Sequence, residues 1–185
     1  MAIDVMSEIM DYFIKKTIEA DHPWQYFYRI LITTNGTLYF DPKVQEFIKK
    51  HLDHLSMTIS IDGNKELHDA CRKFPNGEGS YDLAIKAARH FKNYWHGTLG
   101  TKMTLSPSNI QYTYDAIKNF IHEGETDIYL NCVYEEGWTI EHAKILYQEL
   151  KKISDYALEN DIADKLYISM YDEDDFKPDD DESFN

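Results

Sequence analysis

Cysteine is scarce in this chain: two among 185 residues, Cys71 and Cys132. They lie far apart and match no disulfide framework, redox motif or metal-ligand spacing. Long apolar runs are missing too, and none approaches the ~20 residues of a membrane helix. The start has no basic stretch followed by an apolar block, so no secretory leader is expected and the cytoplasm is the expected location. Basic residues are few, 19 Lys and Arg against 33 Asp and Glu, a net charge of −14. That balance argues against a nucleic-acid partner, which needs clustered cations for its phosphates, and against a polybasic membrane anchor. There is no G-x-S-x-G, no Walker loop and no G-x-G-x-x-G. What the chain does have is apolar and aromatic content, 43% and 14%. This is too much for a disordered chain and enough, at this length, for a real core.

The pattern along the chain alternates. Val5 to Glu19 reads as a helix with Val5, Ile9, Tyr12, Phe13 and Ile18 near one face. Arg29 to Ile32 reads as a buried strand closed by Thr33-Thr34-Asn35-Gly36. Asp41-Pro42 is an N-cap followed by proline at the first helical position. Leu55 to Ile61 alternates apolar and polar residues as a second strand, closed by Asp62-Gly63. Lys73 to Ser80 is a loop rich in Gly, Pro and Asn, and Ser80 is placed to cap a helix with Leu83, Ala84, Ala87, Ala88 and Phe91 inside. Strands at Lys102–Leu105 and Ile128–Val133, helices at Tyr112–Glu123 and Thr139–Asn160, and a fifth strand within Leu166–Tyr171 complete the order. Alternating strands and helices imply a parallel sheet with crossover helices, open or closed into part of a barrel.

In parallel α/β sheets, ligands sit at the carboxyl ends of the strands. Here those ends carry small hydrogen-bonding groups: Thr34-Asn35, Ser60 with Asp62, Thr104 to Ser106, and Asn131. Such a row suits a polar small molecule with a ribose or amino-acid moiety, and Arg72 is suited to grip a carboxylate with two parallel N–H groups. His51-x-x-His54 has metal-compatible spacing but no companion ligand pattern, so no metal site is assigned.

Several segments together resemble a known family. Thr33-Thr34-Asn35-Gly36-Thr37-Leu38, Ser60-Ile61-Asp62-Gly63, His68-Asp69-Ala70-Cys71-Arg72, Gly77-Glu78-Gly79-Ser80-Tyr81 and Asn131-Cys132-Val133 resemble, in order, elements of radical SAM enzymes. The likeness is to the SPASM-containing branch, with its anaerobic sulfatase-maturating enzymes and peptide maturases, and covers about residues 3 to 150. It implies a partial parallel (β/α) barrel of alternating strands and helices, incomplete at its N-terminus. Residues 1–171 would form that core, and 172–185 an acidic, disordered tail. The implied cofactors are S-adenosylmethionine (AdoMet) and a 4Fe-4S cluster, and the implied substrate is a peptide or protein. In the family, one-electron cleavage of AdoMet yields a 5′-deoxyadenosyl radical. By the same resemblance Ser60 and Arg72 meet the methionine or ribose part of AdoMet, Thr34 and Asn35 line the floor, and the Val133 backbone meets the adenine.

This sequence departs from the family pattern in lacking C-x-x-x-C-x-x-C, G-G-E-P and the later cysteine-rich region. A cubane cluster takes about four ligands, so its ligands are absent from this chain. The expectation is therefore the central part of such an enzyme, inactive alone, with an open sheet edge prone to self-association. The alternative expectation is a cluster-less scaffold that serves as a binding or partner module.

Overall fold

The computed structural model describes residues 3–134 and 137–171. The acidic segment from residue 172 and Glu135 lie outside the described residues. The elements run α1 (Ile3–Glu19), β1 (Ile30–Thr34), α2 (Pro42–His51), β2 (Leu55–Ser60), α3 (Lys65–Cys71), α4 (Tyr81–Tyr94), β3 (Thr98–Leu105), α5 (Thr113–His122), β4 (Asp127–Cys132), α6 (Ile140–Glu159) and β5 (Tyr167–Ile168). The strands form a five-stranded parallel sheet in the order β1-β2-β3-β4-β5. The fold is α/β, with helices in the connections. The chain divides into two compact units, through Thr101 and from Lys102 onward.

In the first unit, β1 and β2 pair in register from Ile30–Leu55 to Thr34–Ile59. Leu55, Met57 and Ile59 are buried while Ser56, Thr58 and Ser60 are half-buried, the period-2 pattern of a strand with one fully covered face. Val44, Phe47 and Ile48 of α2, and Ala84, Ala87, Ala88 and Phe91 of α4, supply much of the rest of that core. A fully buried side chain the size of Phe91 stabilises by about 1.5–3 kcal/mol. Asp41 caps α2 by accepting the Lys43 N–H at 2.9 Å, and Pro42 follows as the first helical residue. Gly36 has φ +74, and a Cβ there would lie 3.4 Å from Ala87 Cβ and 3.5 Å from Ala84 Cα. The turn after β1 therefore favours glycine for its left-handed backbone, while a Cβ there would meet α4 only at ordinary van der Waals distance.

Four expectations differ from the structure. The strand expected to be buried at Arg29 to Ile32 keeps only Ile32 inside and leaves Leu31 77% exposed. On α1, Val5, Ile9, Tyr12 and Ile18 are exposed, and the buried residues are Ile3 and Thr17. Helical spacing identifies a common face but not what covers it. Between Asn64 and Arg72 stands a helix, α3, too short for a periodic signal; Asn64 caps it by accepting the Leu67 N–H at 3.0 Å. Finally, β5 is only two residues long and passes into a 3₁₀ turn at Ser169–Tyr171.

In the second unit, Ile128 and Leu130 of β4, Ala116, Ile117 and Phe120 of α5, and Ile153 and Ala157 of α6 are buried. Buried Glu149 on α6 accepts the Tyr114 N–H at 3.1 Å, closing the start of α5 with a carboxylate. Thr139 and His142 cap α6 reciprocally.

Two histidines of the first unit are buried neutral. His51 packs against the Phe47 ring, and its Nε2 meets no hydrogen-bond partner among the described residues. Burial, then Lys50, pushes its pKa down; burial likewise pushes down that of His68. The unfolded chain takes up these protons near pH 6.5 and the folded chain resists them, so their effect is a stability loss as pH falls below about 6.5. The urea midpoint should be flat from about pH 8 to 7 and fall on acidification through 6. In the His51→Leu variant the fall should be shallower.

Candidate functional site

The turn that ends β1, the end of α3 with the segment after it, and the start of α4 build one cleft in the first unit. It has a volume of about 340 Å³ and is lined by Asn35, Thr37, Cys71, Arg72, Lys73 and Ser80, with Phe74 and Pro75 as its apolar side. Each wall has a local cause. The Thr34 hydroxyl accepts the Gly36 N–H at 3.2 Å, and Asn35 Oδ1 accepts both the N–H and the hydroxyl of Thr37, at 3.1 and 2.9 Å. These turns end β1, and among the described residues the Asn35 amide nitrogen has no hydrogen-bond partner. Residues 73–79 close on themselves: Lys73 and Gly79 form an antiparallel bridge, and the Phe74 N–H donates to Glu78 O at 2.8 Å. The loop after α3 is thus a small hairpin with Gly77 at φ +86.

Behind the cleft lies a buried polar set. The Arg72 Nε donates to Asp62 Oδ2, and the two form an ion pair with side chains 29% and 8% exposed. Among the described residues no other group bonds the guanidinium, so its terminal amino groups remain open to a ligand. His68, on α3, accepts the Asp62 N–H at Nδ1, 3.1 Å away, and its Nε2 lies 3.0 Å from Ser80 Oγ. The Ser80 hydroxyl donates to Arg72 O at 3.1 Å. Ser80 stands at the N-cap of α4, but its side chain does not cap the helix. Asp69 does so from α3, accepting the Tyr81 N–H at 2.9 Å.

Of the residues expected from the sequence, Asn35 and Arg72 come together in the cleft. Thr34 and Ser60 are half-buried at the ends of their strands, outside its lining; the Thr34 hydroxyl accepts the Gly36 N–H, and that of Ser60 has no bond among the described residues. Val133 belongs to the second unit. Its N–H donates to Leu105 O at 2.8 Å and its carbonyl accepts Trp138 Nε1 at 2.6 Å, which leaves one carbonyl lone pair. Asp62, which the sequence placed only in the strand-end row, and His68 and Ser80, to which it gave no site role, are the residues that surround Arg72. Their signal was an acid ten residues before the arginine and a His-Asp pair within the same stretch.

A carboxylate ligand fits this set: a planar, fixed guanidinium with an amide and hydroxyls beside it. An iron–sulfur cluster does not fit. Cys71 is exposed at the end of α3, Cys132 ends β4 in the second unit, and no group of three His, Cys, Asp or Glu that could hold a metal ion occurs among the described residues. No described helix is long and apolar enough to cross a membrane.

No family model and no curated protein matches the chain. Solved structures do. Native anSMEcpe, an anaerobic sulfatase-maturating enzyme, with bound AdoMet and the Cp18Cys peptide, matches with TM-score 0.67 and 19% identity. The match covers 86% of this chain and 46% of that one. The same enzyme with bound AdoMet matches with TM-score 0.68 and 17% identity over the same shares. SuiB of Streptococcus suis matches with TM-score 0.54 and 13% identity, covering 86% of this chain and 35% of that one. This chain therefore spans about half the length of the anSMEcpe structures. At these identities the likeness is one of fold alone: the α/β fold of this chain is shared with anSMEcpe and SuiB.

Proposed function

We propose that the chain is the AdoMet-binding part of a radical SAM enzyme that modifies a peptide or protein. The observation that carries this is Arg72. Asp62 holds its Nε, no other described group bonds its terminal amino groups, and it lines a cleft beside the turn that ends β1. In that reading the two terminal amino groups clamp the carboxylate of AdoMet, Asp62 fixes the plane of the fork, and Asn35 and Ser60 offer hydrogen bonds nearby. The fold being that of AdoMet-bound maturases supports the choice of ligand, and the peptide in one of those structures supports the class of substrate. In such enzymes bound AdoMet supplies a carbon radical for hydrogen abstraction, the chemistry being the cofactor's. With two cysteines in all, the chain does not hold the cluster that starts it. The thiolates would come from outside these 185 residues.

Two experiments test this. In calorimetric titration AdoMet should bind saturably and more tightly than 5′-methylthioadenosine, which has the nucleoside and sulfur but no carboxylate. Equal affinities would remove Arg72 from the site. After anaerobic reconstitution with iron and sulfide and reduction with dithionite, the 185 residues alone should produce no 5′-deoxyadenosine. Its detection would overturn the cysteine argument. The cysteine count also favours a second reading, a cluster-less scaffold that binds a peptide. Saturable peptide binding by the iron-free chain, with no response to AdoMet, would select it.

A further inference from the structure

Buried His68 stands between the two main-chain segments that carry Asp62 and Arg72, and touches both. The Asp62 N–H has only a proton to give, so Nδ1 of the ring is the acceptor. In the neutral ring the proton is then on Nε2, which donates to Ser80 Oγ, and the Ser80 hydroxyl in turn donates a hydrogen bond to Arg72 O. The Ser80 N–H donates to the same carbonyl at 3.2 Å, and the Arg72 N–H returns to His68 O at 2.8 Å. Every link in this chain is satisfied in one direction only. A second ring proton would set two donors against each other at Asp62, 1% of His68 being exposed to water.

We propose that His68 is a positioning residue: its neutral Nε2–H form locks the end of β2 to the end of α3 and so holds the Asp62–Arg72 pair in its ligand-ready geometry. The consequence for AdoMet rests on the function proposed above; the lock itself does not. Protonation of His68 opens it, so anion capture by Arg72 is switched off on the acid side. The groups facing the ring are Asp62 from the end of β2, Lys65, Asp69 and Arg72 from α3 and its end, and the Tyr81 ring edge-on from α4 at 5.6 Å. Asp62 and Asp69 favour the charged ring, Arg72 and Lys65 oppose it, and burial outweighs them all in favour of the neutral form.

The test uses the full chain labelled with ¹⁵N and observes two side chains by NMR. At neutral pH the His68 nitrogens should report the Nε2–H form. The Arg72 Nε–H should be a resolved, slowly exchanging resonance, because it is tied to Asp62. His68→Phe keeps a ring and removes both hydrogen bonds; His68→Asn keeps an acceptor near the place of Nδ1. Exchange of the Arg72 Nε–H should quicken about tenfold in His68→Phe, the scale of one or two lost buried hydrogen bonds, and much less in His68→Asn. In the unaltered chain the same resonance should broaden in step with protonation of His68 during acid titration, which decides the matter even where a variant fails to fold. AdoMet affinity should follow the Arg72 signal across pH and variants. An Nδ1–H ring, or an Arg72 signal indifferent to both variants and to the His68 titration, would overturn the proposal. If AdoMet does not bind at all while the Arg72 signal behaves as described, the lock stands and the AdoMet reading fails.

Discussion

Arg72→Leu is expected to abolish AdoMet binding, a loss of more than about a hundredfold, and to destabilise the first unit at the same time. The binding loss follows from removing the only cation of the cleft whose planar fork is already fixed, the other being the flexible Lys73. The stability loss has a separate cause. Asp62 is 6% exposed, and leucine deprives its buried carboxylate of the guanidinium. Removing one partner of a buried pair costs about 3–5 kcal/mol. With Arg72 29% open to water the expected figure is nearer about 2 kcal/mol, after screening. Arg72→Lys separates the effects: the charge stays beside Asp62, so most stability is kept, while the bidentate grip is lost and binding still falls at least about tenfold. Calorimetry and urea unfolding on the three proteins check this. Equal AdoMet affinity in all three would take Arg72 out of the site.

Gly79→Ala is the second large effect, and it acts through packing. A Cβ at Gly79 would lie 2.0 Å from Asp69 Cγ and 2.2 and 2.3 Å from its carboxylate oxygens. Asp69 cannot swing away freely, because it holds the Tyr81 N–H at the start of α4 and faces Lys65 at 3.4 Å. Alanine therefore either expels the carboxylate and uncaps α4, or pushes the 73–79 hairpin off its base. The expected loss is about 2–3 kcal/mol, from overpacking plus the cap. Gly77→Ala in the same hairpin meets nothing within 4 Å and carries only the strain of φ +86, about 1 kcal/mol. The decisive comparison is the double variant. With Asp69→Ala in place the clash is gone, so Gly79→Ala should add less than about 1 kcal/mol. Simple additivity of the two losses would show that the contact does not set the cost.

The features legible in the sequence were those with local causes. Asp41-Pro42 announces a helix start because cap and proline act within one turn, and Asn35-Gly36 announces a strand end because only a few residues accept its backbone. Alternation in Leu55–Ser60 placed β2 with Leu55, Met57 and Ile59 inside, and Arg72 was legible as a cleft residue from its chemistry. The rest depended on distant partners. Val5, Ile9 and Tyr12 share a face of α1, yet periodicity carries no information on whether another element covers it. Asp62 had the look of a turn residue, and its burial follows from Arg72 ten positions away. Ser80 resembled a helix cap because Ser at that position usually is one; here His68 and the Arg72 carbonyl engage its hydroxyl, and Asp69 takes over the cap. The seven-residue α3, which brings His68, Asp69 and Arg72 into place, is shorter than two helical turns, so it left no periodic trace.

The most direct test of an AdoMet site at Arg72 is a map of backbone and side-chain NMR shifts on titration with AdoMet. Shifts concentrated at Asn35, Thr37, Ser60, Asp62, Arg72 and Ser80, saturating together and absent with Arg72→Leu, are the expected result. No shifts at saturating AdoMet, or shifts gathered instead at the groove of Ile3, Lys43 and Phe47 or at that of Ala157, Leu166 and Tyr171, would contradict it.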